Sequence, residues 1–133
     1  MKPQWFIDSS ALFAWMDASS REGKKIESLL GPMDHSLITT NLVFAETISL
    51  ITKRVSKLAG VQAGQSIFAS KLVHLSYLDL KTQQEAWKMY VKYKDKDFDF
   101  IDATSFVFCQ QNKIKEVLTL DHHFTQMGFK ILP

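Results

Sequence analysis

The stretch Trp5-Phe6-Ile7-Asp8-Ser9-Ser10-Ala11-Leu12 carries the first decision about the fold. Trp5-Phe6-Ile7 predicts a short buried strand, and the residues from Ser9 to about Met16 predict a helix directly behind it. The same alternation continues along the chain. Ser19 or Ser20 is placed to cap a second helix that runs to Leu30 and stops at Gly31-Pro32. Ser36 to Thr39 reads as a second strand, and Asn41 stands where an N-cap belongs, ahead of a long helix to about Lys57. A helix from about Val61 to Lys71 leads into a third strand, Val73 to Tyr77. Lys81 to Lys94 and Phe100 to Asn112 are helical, the second apolar on nearly every side. Glu116 to Leu120 is a fourth strand, followed by a helical turn near Phe124 and a last strand at Lys130-Ile131-Leu132. Strands alternating with helices imply parallel crossovers and an α/β sandwich. In such open sheets, ligands bind beyond the carboxyl ends of the strands.

Length and composition bound the answer without naming a function. The 133 residues suit one domain, expected to span 1–133. A chain of this size buries roughly two thirds of its unfolded surface, enough for a core without staples. With 46% hydrophobic and 23% charged residues, disorder is not expected. The single cysteine, Cys109, excludes an intrachain disulfide and a multi-cysteine zinc site, and fits a reducing, cytoplasmic setting. The longest apolar run, Ala11 to Met16, has six residues, far short of the ~20 a membrane helix needs. Met1-Lys2-Pro3-Gln4 leads into the first strand and not into a signal-peptide core. A net charge of +2 does not by itself argue for nucleic acid.

Four carboxylates carry the chemistry. Asp8 ends the first strand and Asp121 the fourth, so both should face one edge of the sheet. Either alone reads more readily as a helix cap than as a catalytic group. Glu46 is four residues from Leu42 and Leu50 and three from Val43, and so shares an apolar helical stripe. A carboxylate there costs several kcal/mol unless it is paired or bound to a cation. Its alternatives are a salt bridge or an exposed stripe edge. Asp102 lies near the start of the apolar helix, where the macrodipole also attracts acids; Asp97 or Asp99 suits a plain capping role. Together the four can converge on one cleft. Clustered carboxylates repel, and a divalent cation keeps them ionised. An all-oxygen site suits Mg²⁺ or Mn²⁺ rather than Zn²⁺. Such an ion acidifies water and neutralises charge on a phosphodiester, which is the chemistry of a metal-dependent nuclease.

The same residues resemble the motifs of the PIN-domain ribonucleases over nearly the whole chain. Phe6-Ile7-Asp8-Ser9-Ser10-Ala11-Leu12 looks like the family's opening strand and first aspartate. Thr39-Thr40-Asn41-Leu42-Val43-Phe44-Ala45-Glu46-Thr47 resembles the second motif, Phe100-Ile101-Asp102-Ala103 the third, and Val117 to Phe124 with Gly128-Phe129 the fourth. The resemblance implies a PIN-like three-layer α/β/α sandwich with a central, mostly parallel sheet, and Asp8, Glu46, Asp102 and Asp121 around one or two Mg²⁺ or Mn²⁺ ions. It implies hydrolysis of single-stranded or structured RNA to a 5′-phosphate and a 3′-hydroxyl. It also implies a VapC-type toxin, homodimeric and inhibited by a small antitoxin. Many relatives carry a small hydroxyl residue where this chain has Asp99, which then either adds a fifth carboxylate or caps its helix.

Roles can be assigned on that basis. Asp8, Asp102 and Asp121 are expected to touch the metal. Glu46 is expected to bind a second ion or to act as general base. Ser9 and Thr119 are expected to orient carboxylates or touch the scissile phosphate, with ordinary capping as their plain alternative. His122 and His123 are adjacent and diverge by about 100° on a helix, so both cannot face one ion. Cys109 reads as a packed core thiol. Lys53, Arg54 and Lys57 form one basic group; Lys88, Lys92, Lys94 and Lys96 form another, next to Trp87, Tyr90 and Tyr93. Those three aromatics are expected to face the core. Two other functions compete. A metal-dependent phosphatase with Asp8 as nucleophile would want a second aspartate at position 10, which is Ser10. A catalytically silent or regulatory interaction module on the same fold would not need all four acids.

Overall fold

The computed structural model describes residues 4–17, 19–31 and 36–133. Met1 to Pro3 and Pro32, on which the leader and helix-stop readings rest, lie outside the described residues. The elements are β1 (Gln4–Ile7), α1 (Ser9–Met16), α2 (Arg21–Leu30), β2 (Ser36–Thr40), α3 (Asn41–Arg54), α4 (Lys57–Ala69), β3 (Val73–Ser76), α5 (Leu80–Lys92), α6 (Phe100–Gln111), β4 (Glu116–Leu118), α7 (His123–Gln126) and β5 (Lys130–Leu132). The strands lie in the order β3-β2-β1-β4-β5, and every pairing is parallel. Helices flank the sheet, as parallel crossovers require.

Apolar residues of the central strands fill the interior: Phe6, Ile7, Leu37, Val117 and Leu118 are fully buried. Aromatic rings extend that core beyond the sheet. Phe6 meets Phe108 with centroids 5.9 Å apart, and Phe106 meets Phe124 edge-on at 4.9 Å. Cys109 is a buried free thiol in the same core. Gly128 turns the chain between α7 and β5 with a φ of +91°, a conformation that a side chain would strain.

Local capping differs from expectation at two points. Thr40 caps α3, its Oγ1 accepting from Val43 N at 3.2 Å, while Asn41 is the first helical residue. The Asn41 side chain instead accepts from Leu78 N at 2.8 Å and ties down the chain after β3. The long helix ends at Arg54, because Ser56 starts α4 by accepting from Ala59 N at 3.0 Å. Ser20, of the two candidate serines, caps α2.

The consequence for function lies at one edge. Because all strands run the same way, the chain leaves β1, β2 and β4 on the same side of the sheet. Hydrogen bonds carry this alignment past the strand ends: Asp8 N donates to Leu118 O at 3.0 Å, and Thr39 Oγ1 to Ile7 O at 2.8 Å.

Candidate metal centre at the carboxyl edge of the sheet

Asp8 occupies the N-cap position of α1, and its carbonyl accepts the first helical bond from Leu12 N. Its side chain makes no capping bond. The carboxylate is 3% exposed. Oδ2 accepts from Thr119 Oγ1 at 3.1 Å and from Ser10 Oγ at 3.3 Å. Oδ1 is buried and has no hydrogen-bond partner. A buried, unpartnered carboxylate oxygen is expensive, and in native proteins it calls for a specific cause.

The other acids supply that context. Glu46 projects from α3 and accepts a short hydrogen bond from Ser9 Oγ, so α1 and α3 join at this point. Asp102 is the third residue of α6 and forms a capping box with Asp99. Asp102 N donates to Asp99 Oδ1 at 2.8 Å, and Asp99 N donates to Asp102 Oδ2 at 3.1 Å. Asp99 is therefore a helix cap, as one of the two sequence readings has it. Asp121 lies three residues beyond β4, in a turn fixed by Asp121 N donating to Thr119 Oγ1 at 3.0 Å. The strand is shorter than the sequence predicts, yet the acid still reaches the expected edge.

Charge and burial act on these groups together. Asp8 has its pKa raised from 3.8 to about 6, chiefly by burial, with the charges of Glu46 and Asp121 adding to it. Asp102 is raised to about 8 by burial first, then by the charge of Asp99, with Asp8 and Asp121 contributing. The charges of Glu46 and Asp121 thus act on Asp8, and those of Asp99, Asp8 and Asp121 act on Asp102.

Sequence reasoning left the two histidines open, and the structure separates them. His122 is exposed. His123 turns inward: Nε2 lies 2.8 Å from Asp97 Oδ1, Nδ1 lies 2.8 Å from Asp121 Oδ1, and its backbone N donates to the same oxygen at 3.0 Å. Desolvation lowers the His123 pKa, but the contacts with Asp121 and Asp97 outweigh it and the net shift is upward. Ligand atoms of Asp102, Asp121 and His123 lie within 4.8 Å of one another. His123 Nδ1 is buried and makes no well-formed hydrogen bond despite its closeness to Asp121, so the imidazole stands beside the oxygen donors of this group.

Two further residues escaped the sequence reading. Ser10 accepts from Leu120 N at 3.0 Å and lies 3.1 Å from Thr119 Oγ1, linking the turns after β1 and β4. Asp97, one of the two acids expected to cap, is exposed and lies with Oδ1 2.8 Å from His123 Nε2, while Asp99 is the cap. The signal for Ser10 was present, since a hydroxyl two residues after an aspartate commonly turns back to it. Ser9 and Thr119 each donate to an acid, so both orient carboxylates.

Tyr93 packs against the core as expected, its ring 6.2 Å from Phe98. Trp87 and Tyr90 do not: they are 56% and 40% exposed. The buried residues of α5 are the smaller Thr82 and Ala86, with Met89 packing partly against the core.

Comparison with known proteins agrees with this arrangement. The family model for the PIN domain matches residues 5–130. A Mycobacterium tuberculosis protein named 23S rRNA-specific endonuclease VapC20 is 27% identical over 124 residues, covering 93% of this chain and 94% of that protein. Ribonuclease VapC26 from the same species is 26% identical over 125 residues, covering 91% and 90%. The crystal structure of VapC20, described as a Sarcin-Ricin loop cleaving toxin, superposes with a TM-score of 0.85 over 93% of this chain and 95% of that one, at 26% identity. VapBC2 from Rickettsia felis shares the fold, with a TM-score of 0.71 at 11% identity over 97% of each chain. The order of strands, the four acids at one sheet edge and the match over residues 5–130 lead to one conclusion: this chain belongs to the PIN domain family.

Proposed function

We propose that this chain is a divalent-metal-dependent endoribonuclease that cuts single-stranded RNA, and that it is the toxin of a toxin–antitoxin pair. The observation that carries the reading is the buried Asp8 Oδ1, without a hydrogen-bond partner, among Glu46, Asp102 and Asp121. A hard cation relieves both the missing bond and the repulsion, and these oxygen donors suit Mg²⁺ or Mn²⁺. The relatives named for ribonuclease activity support RNA as the substrate.

Asp8, Asp102 and Asp121 would hold the ion directly, and the Glu46 carboxylate would add its charge to the same site. When bound, it would supply positive charge to the phosphodiester in the transition state and lower the pKa of water. The protein's own groups do the rest. Thr119 and Ser10 fix the Asp8 carboxylate, and Ser9 fixes Glu46. Glu46 takes the proton from the attacking water, whose oxygen bonds to phosphorus as the bond to O3′ breaks, and the departing O3′ takes a proton from solvent water. The products are a 5′-phosphate and a 3′-hydroxyl. His123 orients Asp121 from behind, itself held by Asp97.

The 133 residues act as one domain in the cytoplasm, paired with a second copy and restrained by a small antitoxin. Val55, just after α3, and Leu58, Val61 and Phe68 on α4 are exposed and offer such partners an apolar surface. No helix among the described residues is long and apolar enough to cross a membrane.

The test is cleavage of end-labelled single-stranded RNA in Mg²⁺, in Mn²⁺ and in EDTA, beside Asp8→Asn. Cutting that needs metal and disappears in the variant is expected. Cutting that persists in EDTA, or in a clean preparation of Asp8→Asn, would remove the ion and Asp8 from the mechanism.

A further inference from the structure

Two exposed rings, Trp87 and Tyr90, gather on Phe100, which packs against the core at the start of α6. The centroids of Trp87 and Tyr90 are 5.7 Å apart, and both rings meet Phe100 edge-on, at 6.0 and 6.1 Å. Phe100 and Asp102 both lie in the first turn of α6, so the cluster and the carboxylate site share that end of the helix. Beyond Trp87, a shallow groove is completed by Gln83, Gln84 and Lys88.

This surface has the chemistry of a nucleobase site. Every base presents a π-face, so an exposed indole braced by two other rings can hold one without regard to sequence. The amides of Gln83 and Gln84 can meet base edges, and the Lys88 ammonium a phosphate. α5 carries Lys81, Lys88 and Lys92 against one acid, Glu85, which lies 3.3 Å from Lys88 Nζ. A contact between two protein copies would instead favour depletion of lysine around its aromatic centre.

Resting on the nuclease reading above, we propose that Trp87, braced by Tyr90 and Phe100, is a stacking platform that holds an unpaired base of the RNA beside the carboxylate cluster. The platform contributes to binding before the chemistry and remains in place through it. Its loss therefore raises KM and leaves kcat nearly unchanged.

The test compares the full chain with Trp87→Ala and Trp87→Phe on a short single-stranded RNA that the unmodified protein cuts. Steady-state kinetics are combined with sedimentation velocity. Trp87→Ala should raise KM roughly 10- to 100-fold, and Trp87→Phe should recover most of the loss. An RNA series with an abasic nucleotide at each position in turn should show one position near the cut that raises KM for the unmodified protein and has no further effect in Trp87→Ala. An unchanged KM in Trp87→Ala overturns the platform and leaves the nuclease standing. A dimer that Trp87→Ala converts to monomers assigns the patch to a second copy and also overturns it. If the unmodified protein binds and cuts no RNA, the nuclease reading fails, and the platform with it.

Discussion

Replacing Asp8 by Asn should make the metal-free protein more stable while abolishing its activity. Burial and the neighbouring acids raise the Asp8 pKa from 3.8 to about 6. The folded state therefore holds this proton more tightly than the unfolded chain does. Below about pH 4 the group carries no penalty. As pH rises through 6, ionisation removes about 3 kcal/mol of stability, and above that the loss is complete. Asn is neutral at every pH. Its oxygen can accept from Thr119 and Ser10, and its amide can point where Oδ1 now has no partner, toward the surrounding carboxylates. At pH 8 in EDTA, Asp8→Asn should gain about 2–3 kcal/mol, or roughly 5–10 °C in thermal midpoint. At pH 4 the two proteins should melt together. Mg²⁺ or Mn²⁺ should then raise the midpoint of the unmodified protein far more than that of the variant, since saturation at 100 times Kd is worth about 2.7 kcal/mol. The assay is calorimetric or fluorescence-detected melting across pH 4–8, with and without metal. An unmodified protein whose metal-free stability is flat over that range, or a variant that melts lower at pH 8, would refute the claim that charge is confined at this position.

Three further substitutions separate the roles of the neighbouring groups. Glu46→Gln keeps the hydrogen bond from Ser9 and loses the base, so single-turnover cleavage should fall by about 10²–10⁴ with little change in RNA binding. Asp99→Ala removes the cap of α6 and should cost about 1 kcal/mol in urea unfolding, while metal-dependent cleavage should survive if Asp99 only caps the helix. His123→Gln breaks the bridge from Asp97 to Asp121, and Mn²⁺ affinity should drop roughly 10- to 100-fold, measured by calorimetric titration.

Legibility from the sequence followed the strength of each local signal. The turn from β1 to α1 was readable to within a residue because a buried apolar triplet meets a helix without an intervening loop. That Asp8 and Asp121 share an edge follows from parallel topology alone, and so survives the early end of β4 at Leu118. Glu46 announced itself by interrupting an apolar stripe. The boundary between α3 and α4 was harder to place. Only two residues, Val55 and Ser56, separate them, and the apolar period runs nearly through. Thr40 and Asn41 are both good caps, and adjacency gives no way to choose between them. His122 and His123 sit where a four-residue helix carries no periodic signal, so only tertiary contacts reveal which one turns toward Asp121. Trp87 and Tyr90 misled for a different reason. Large aromatics usually mark a core face, but α5 packs inward through Thr82 and Ala86, and small residues leave a weak pattern.

The central claim is that Asp8, Glu46, Asp102 and Asp121 form one cation site. Mn²⁺ titration of the unmodified protein beside Asp8→Asn, Glu46→Gln, Asp102→Asn and Asp121→Asn, with Asp99→Asn as control, tests it most directly. Each of the four replacements should weaken Mn²⁺ binding by tenfold or more, and the Asp99 control should leave it unchanged. Binding that ignores Asp8 and Asp121, or that depends on Asp99 instead, would contradict it.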